Sequence, residues 1–173
     1  MLKHRLALYR AQVRPHIEYC SHLWTGAPQY QLEPFERIQR RAVRSIGDSM
    51  ICERLDTLAL RRDVSSLCVL YRIYHGKGSE ELFDLLPAAE FSNPTVRHKL
   101  KYHPHHMDTW QSTTVRLRRK FLPRAMELWN GLHAAVFAGR YDTGTFKKRI
   151  YLHLKCRQRT CSFSGVARGR GRR

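Results

Sequence analysis

Residues 32–46 read Leu-Glu-Pro-Phe-Glu-Arg-Ile-Gln-Arg-Arg-Ala-Val-Arg-Ser-Ile. Proline fixes φ near the helical value and loses nothing where an amide has no partner, so Pro34 suits the first turn of a helix running to about residue 46. Phe35, Ile38, Ala42 and Ile46 then share one side, and Arg37, Arg40, Arg41 and Arg44, at i, i+3, i+4 and i+7, form a positive ridge opposite them. Glu36 can pair with Arg40, whereas Arg41 and Arg44 each have an arginine, not an acid, four residues before them. The ridge reads either as a solvated face or as a surface that meets phosphate.

The same periodicity extends outward from this helix. Leu2, Leu6, Tyr9 and Val13 predict a helix over 2–13, stopped or kinked before Pro15. A short helix with Ile17, Cys20, Leu23 and Trp24 on its stripe should end at Gly26-Ala27-Pro28. Residues 52–60 read as a short helix or turn. Asp63 is a candidate cap for a helix turning Val64, Leu67, Cys68, Tyr71 and Tyr74 inward until Gly76. Ser79 caps a short helix to Leu86. Residues 88–115 lose periodicity and read as loop, with room for a short strand or two. Phe121-Leu122-Pro123 opens a helix with Leu122, Ala125, Leu128, Trp129 and Leu132 on its apolar side. A last helix over about 143–155 carries Phe146, Ile150 and Leu154, and the Arg/Gly-rich residues 157–173 read as a disordered basic tail. The fold class is mainly α: about seven helices in an irregular bundle, a loop-rich segment near 88–115, and the tail.

Charge is the unusual feature of the composition. The chain carries a formal net charge of +18, unevenly distributed: residues 1–90 hold 13 basic and 11 acidic side chains, whereas residues 91–173 hold 19 and 3. A concentration of one sign on half a domain points to a polyanionic partner, nucleic acid first, through Arg116, Arg118, Arg119, Lys120, Lys147, Lys148, Arg168, Arg170, Arg172 and Arg173 together with the ridge. A solubility surface and an anionic membrane surface are the competing explanations. The five cysteines are odd in number and irregularly spaced, which argues against a secreted disulfide framework and for an intracellular location, nucleus or cytoplasm. No apolar run approaches the length needed to span a bilayer. A basic N-terminal segment before Glu18 resembles a mitochondrial presequence but lacks its serines.

No motif in the sequence builds a catalytic centre. Asp142-Thr143-Gly144 matches the aspartic-protease triplet, but Arg140-Tyr141 precedes it where a strand is needed, and a helix cap explains the same letters. Gly76-Lys77-Gly78-Ser79 lacks the first glycine and the strand of a phosphate-binding loop. His153, Cys156 and Cys161, and separately His98, His103, His105 and His106, lack the paired spacing of a closed zinc site, so neither a metal nor another cofactor is expected. Two-metal phosphoryl transfer needs converging carboxylates, and the sequence has no Asp-Asp pair.

Three stretches carry a resemblance. Leu8 through Cys20, Leu-Tyr-Arg-Ala-Gln-Val-Arg-Pro-His-Ile-Glu-Tyr-Cys, is followed by Trp24. Glu36 through Ala42 reads Glu-Arg-Ile-Gln-Arg-Arg-Ala. Phe121-Leu122-Pro123-Arg124 precedes Leu128-Trp129-Asn130-Gly131-Leu132 and Phe146-Lys147. In order and spacing these resemble the C-terminal region of reverse transcriptases of non-long-terminal-repeat retrotransposons, the jockey-like elements in particular, over about residues 5–155. His133 departs from the family's usual proline, and the segment after Cys161 matches nothing in the family pattern. The resemblance implies a helical thumb-like region over 1–87 and a basic helical C-terminal region over 88–156; the tail over 157–173 is read from its composition alone. It also implies a part of the polymerase lying downstream of the catalytic palm, with no active site of its own. Because the resemblance begins within a few residues of Met1, a fragmentary copy of an element or a partial gene with a misassigned start is expected. The partners implied are nucleic acid, RNA or DNA with weak sequence preference, and an intact polymerase palm, with no membrane. The alternatives are a degenerate element copy or an interaction protein that docks on a palm without a nucleic-acid role.

Overall fold

The computed structural model describes residues 2–47, 55–84, 86, 104–108, 114–137 and 139–166. Those residues form helices α1 (Leu2–Leu8), α2 (Arg14–Glu18), α3 (Ser21–Trp24), α4 (Gln29–Ile46), α5 (Leu58–Tyr74), α6 (Glu80–Asp84), α7 (Val115–Arg118), α8 (Phe121–Asn130) and α9 (Thr143–Val166). A π turn (Tyr9–Val13) and a 3-10 turn (Ala134–Val136) complete the set, and there is no strand among the described residues. The mainly helical class is therefore the one found. Two compact units are present, one of Met1–Ser66 with Gln111–Ala125, the other of Leu67–Trp110 with Met126–Arg173.

In the first unit the chain does not stop before Pro15. Residues 9–13 widen into a π turn that leads directly into α2, with proline in its first turn. The wider turn relieves the clash between the proline ring and the carbonyl four residues back. Cys20 then adopts a left-handed conformation, φ 48°, that separates α2 from α3. This break resets the helical phase, so Leu23, expected inward with Ile17, is instead 63% exposed.

Helix α4 begins at Gln29, so Pro34 lies inside it and past its first turn. Its buried positions are Leu32, Gln39 and Ile46, seven residues apart, while Ile38 is exposed. The inward side is thus rotated from the one the apolar letters suggest, because buried Gln39 donates from Nε2 to the Asp56 carbonyl at 3.0 Å. Gly47, φ 74°, ends the helix, donating its amide to the Val43 carbonyl, and Arg5 donates to the Ser45 carbonyl at 2.8 Å. A cation at that end meets carbonyls that have no helical partner.

Helix α5 starts at Leu58, so Asp63 is not a cap. Thr57 Oγ1 accepts the Leu60 amide at 3.2 Å, and Asp63 accepts from Arg124 at 2.8 Å. Two more ion pairs cross the same unit, Arg61 with Glu18 and Arg62 with Glu36. Glu36 is therefore engaged by Arg62 and not by Arg40, which pairs with Glu33.

The second unit is organised around aromatic rings. Tyr71 stacks on Phe146 at 3.9 Å between centroids and on Tyr141 at 5.3 Å, and Trp129 meets Tyr74 and Phe137. Trp129 is fully buried, as are Met126, Phe146 and Ile150; burying a side chain of this size contributes roughly 1.5–3 kcal/mol. The expected inward positions of α8 and α9 thus hold at Ala125, Trp129, Leu132, Phe146, Ile150 and Leu154, with Leu122 and Leu128 half-buried. Trp129 Nε1 donates to the His105 carbonyl at 2.6 Å. The Asn130 amide exchanges hydrogen bonds with the Met107 backbone at 3.0 and 2.7 Å. These bonds supply residues 104–108 with the backbone partners that a helix would otherwise provide.

At the end of α5, Gly76 takes φ 63°. Lys77 donates to the Arg72 carbonyl and Gly76 to that of Ile73, the paired bonds of a glycine-terminated helix. Helix α9 continues to Val166, beyond the expected end near 155, so residues 157–166 are helical and not tail. Arg157, Gln158 and Arg159 are good helix formers, and extending an established helix costs little per residue. Residues 52–54, most of 88–115, and the remainder of the tail with Arg168, Arg170, Arg172 and Arg173 lie outside the described residues.

Candidate nucleic-acid interface

The ridge of α4 is present as read: Arg37, Arg40, Arg41 and Arg44 are all exposed. Arg40 is engaged by Glu33, and Arg44 donates to the Arg40 carbonyl at 3.4 Å, leaving its charge outward. Arg37 and Arg41 make no ion pair with a described residue. In the same unit Arg116, Arg118, Arg119 and Lys120 are exposed on and just after α7, a helix opened by Thr114, whose hydroxyl accepts the Leu117 amide.

Three of these cations line one groove. Arg116, Arg119 and Lys120 face Leu23, Trp24, Pro28 and Tyr30 across a depression of about 690 Å³, with no acidic residue in its lining. Tyr30, Leu23 and Val115 are 74%, 63% and 68% exposed, and all three line it. Trp24 forms a rigid wall: it stacks on Phe35 at 4.9 Å, donates from Nε1 to the Tyr19 carbonyl, and lies under the Arg62 guanidinium at 5.6 Å. Gly26 fixes the floor, because any side chain there would collide with the Arg119 carbonyl.

Sequence reasoning found the cations of this groove and missed its apolar part. Tyr30, set between Gln29 and Gln31, belongs to no stripe, and the periodicity places Leu23 inward. Val115 has no signal of its own, since its place in the groove depends on residues some ninety positions earlier in the chain. An aromatic residue flanked by two glutamines, just after Pro28, is the one signal that the sequence offers.

Lys147 and Lys148 are exposed on α9 in the second unit. Their neighbour Arg149 is engaged in donating to the Ala135 and Phe137 carbonyls at 3.2 and 3.3 Å. Lys147 also favours the thiolate of Cys68, but burial is the larger influence and pushes that thiol up.

Asp142 acts as a helix cap. Its Oδ1 accepts the Gly144 and Thr145 amides at 2.8 and 3.1 Å. The Thr145 hydroxyl, then the Thr145 amide, hold this carboxyl below its ordinary value, which is the chemistry of a cap and not of a proton-sharing dyad. Among the described residues no group of three His, Cys, Asp or Glu side chains is placed to hold a metal ion. His105 instead shares a hydrogen bond with the Tyr74 hydroxyl at 3.2 Å. No helix among the described residues is long and apolar enough to cross a membrane. No protein-family model matches the chain, and comparison with curated proteins and with solved structures gives no match.

Proposed function

We propose that this chain is a non-catalytic C-terminal part of a non-long-terminal-repeat retrotransposon reverse transcriptase, and that it binds nucleic acid through its basic surface with weak sequence preference. The observation that carries the reading is the charge asymmetry, 19 basic against 3 acidic side chains over residues 91–173. The three family-like stretches supply the identity of the parent enzyme. Exposed arginines and lysines on α4, α7 and α9 are suited to phosphate, whose condensed counterions are released when a cation replaces them. Sequence choice would need base-edge contacts in fixed geometry, which flexible cations do not supply. An intact polymerase palm is the protein partner that the family-like stretches imply.

The test is binding of the full chain to single-stranded, duplex and hybrid probes over a salt series. Affinity should fall steeply with salt. Arg168, Arg170, Arg172 and Arg173 replaced together by Ala should weaken all probes about equally and reduce the salt slope by up to about 4 units. The same preparation should extend no primer with deoxynucleotides and Mg²⁺. Salt-insensitive binding, or none at low salt, removes the nucleic-acid role; primer extension removes the non-catalytic one.

A further inference from the structure

The groove of the first unit combines two features that a phosphate-binding surface alone does not need. Its walls hold Tyr30, Leu23 and Val115, which are among the most exposed large apolar side chains in the described residues. Its rim holds Arg116, Arg119 and Lys120, which have no carboxylate in the same lining. Apolar side chains and unopposed cations in one concave lining suit an occupant that is anionic and has an apolar face.

The shape and the course of the charge narrow the choice. A bilayer is flat or convex at this scale, whereas these apolar residues and cations line one concave depression. The positive charge also continues past the groove. From Tyr30, the α-helical repeat places Arg37, Arg41 and Arg44 within about 40° of one line along α4, at roughly 10, 16 and 21 Å. All three are exposed. A track of cations that begins at an aromatic ring fits a strand of repeating phosphates whose bases are free to stack.

Resting on the nucleic-acid reading above, we propose that this groove is a single-strand site. One unstacked base lies against Tyr30, its flanking phosphates meet Arg116, Arg119 and Lys120, and the strand continues along Arg37, Arg41 and Arg44. Trp24 shapes the wall but is already stacked on Phe35, so Tyr30 is the ring available to a base. Gln31 Nε2 donates to the Tyr30 hydroxyl at 3.3 Å, which orients the phenol without covering its face. A duplex keeps its bases stacked internally and gains only the phosphate contacts.

The test compares three probes on the full chain at one salt concentration: an oligothymidylate of about twelve nucleotides, an abasic strand of the same length, and a duplex. The intact chain should bind the oligothymidylate about tenfold more tightly than the abasic strand. Tyr30→Ala should abolish that difference while leaving the abasic affinity unchanged, and Tyr30→Phe should retain it. Tyr30 is mostly exposed, so neither variant removes core packing. Equal affinity for the based and abasic strands, both salt-dependent, would overturn the groove proposal and leave nucleic-acid binding standing. Preference for duplex would also overturn it. Absence of binding to every probe would remove both readings. Tyr30-dependent binding of an acidic, leucine-rich peptide, with no Tyr30 effect on the oligothymidylate, would assign the groove to a protein partner instead.

Discussion

The two units are held together by different chemistry. The first is crossed by three ion pairs, Arg61 with Glu18, Arg62 with Glu36 and Arg124 with Asp63, and buries Ser21, Thr25, Gln39, Arg62 and Ser66 among its apolar residues. The second has an apolar interior of Tyr71, Trp129, Phe146 and their neighbours, with hydrogen bonds mainly to backbone carbonyls. Aromatic burial rewards the area removed from water, with a smaller gain from offset-stacked or edge-to-face ring geometry. Buried charge tolerates little error, because a guanidinium that loses its carboxylate retains its cost of desolvation. The difference teaches that the unit carrying the basic groove owes its internal order partly to the same residue type that it displays outside.

The largest effect should come from the aromatic side. Trp129→Ala should cost roughly 3–5 kcal/mol, since it empties the centre of the cluster and removes the indole donor to the His105 carbonyl. Chemical denaturation measures it, and a loss below about 1 kcal/mol would mean that α8 is not part of a packed core. On the charged side, Arg62 has a side chain only 7% exposed. Glu36→Met should cost roughly 2–3 kcal/mol, less than a fully enclosed pair because the Trp24 face still covers the cation. Adding Arg62→Met should recover part of that loss. A double variant less stable than Glu36→Met alone would show that the pair is not what orders this unit.

The positions legible in the sequence are those where burial and apolar character coincide. Trp129, Phe146, Ile150 and Leu154 lie on single helical stripes, and no polar residue interrupts them. Legibility failed where a polar residue is buried with a distant partner. Gln39 reads as surface until Asp56 is beside it, and Asp63 reads as a cap until Arg124 is. It failed again at Cys20, where one left-handed residue changes which side of the next turn faces inward. The cations of the candidate site were legible because charge needs no context to be counted. The apolar groove between them depends on two segments far apart in the chain, and periodicity within either segment carries no information about it.

The smallest expected effect sharpens the comparison through pH. Burial holds the imidazoles of His75 and His105 below their ordinary value of 6.5, and His105 lowers His75 further. The unfolded chain therefore takes up these protons first. Stability is full above about pH 6.5 and falls as pH drops through the lower folded values. His22 in the first unit is lowered in the same direction by burial. Thermal midpoints followed from neutral pH to about pH 5 should decline, and His105→Asn should flatten part of that decline. An unchanged slope in the variant would separate His105 from the pH response.

The π turn at residues 9–13 has a consequence for how this chain tolerates change in length. A π turn is what an α-helix becomes when it accepts one extra residue without breaking, so residues 2–8 and 14–18 are out of phase by about 100° relative to an uninterrupted helix. Deleting one residue between Tyr9 and Val13 would restore a regular helix and a simpler hydrogen-bond ladder. It would also swing buried Tyr9, or buried Ile17, away from its place in the interior, and return the Pro15 ring to collision with the carbonyl behind it. The segment that looks most like a local irregularity is therefore a length gauge: insertions and deletions on either side of it are read out as rotation.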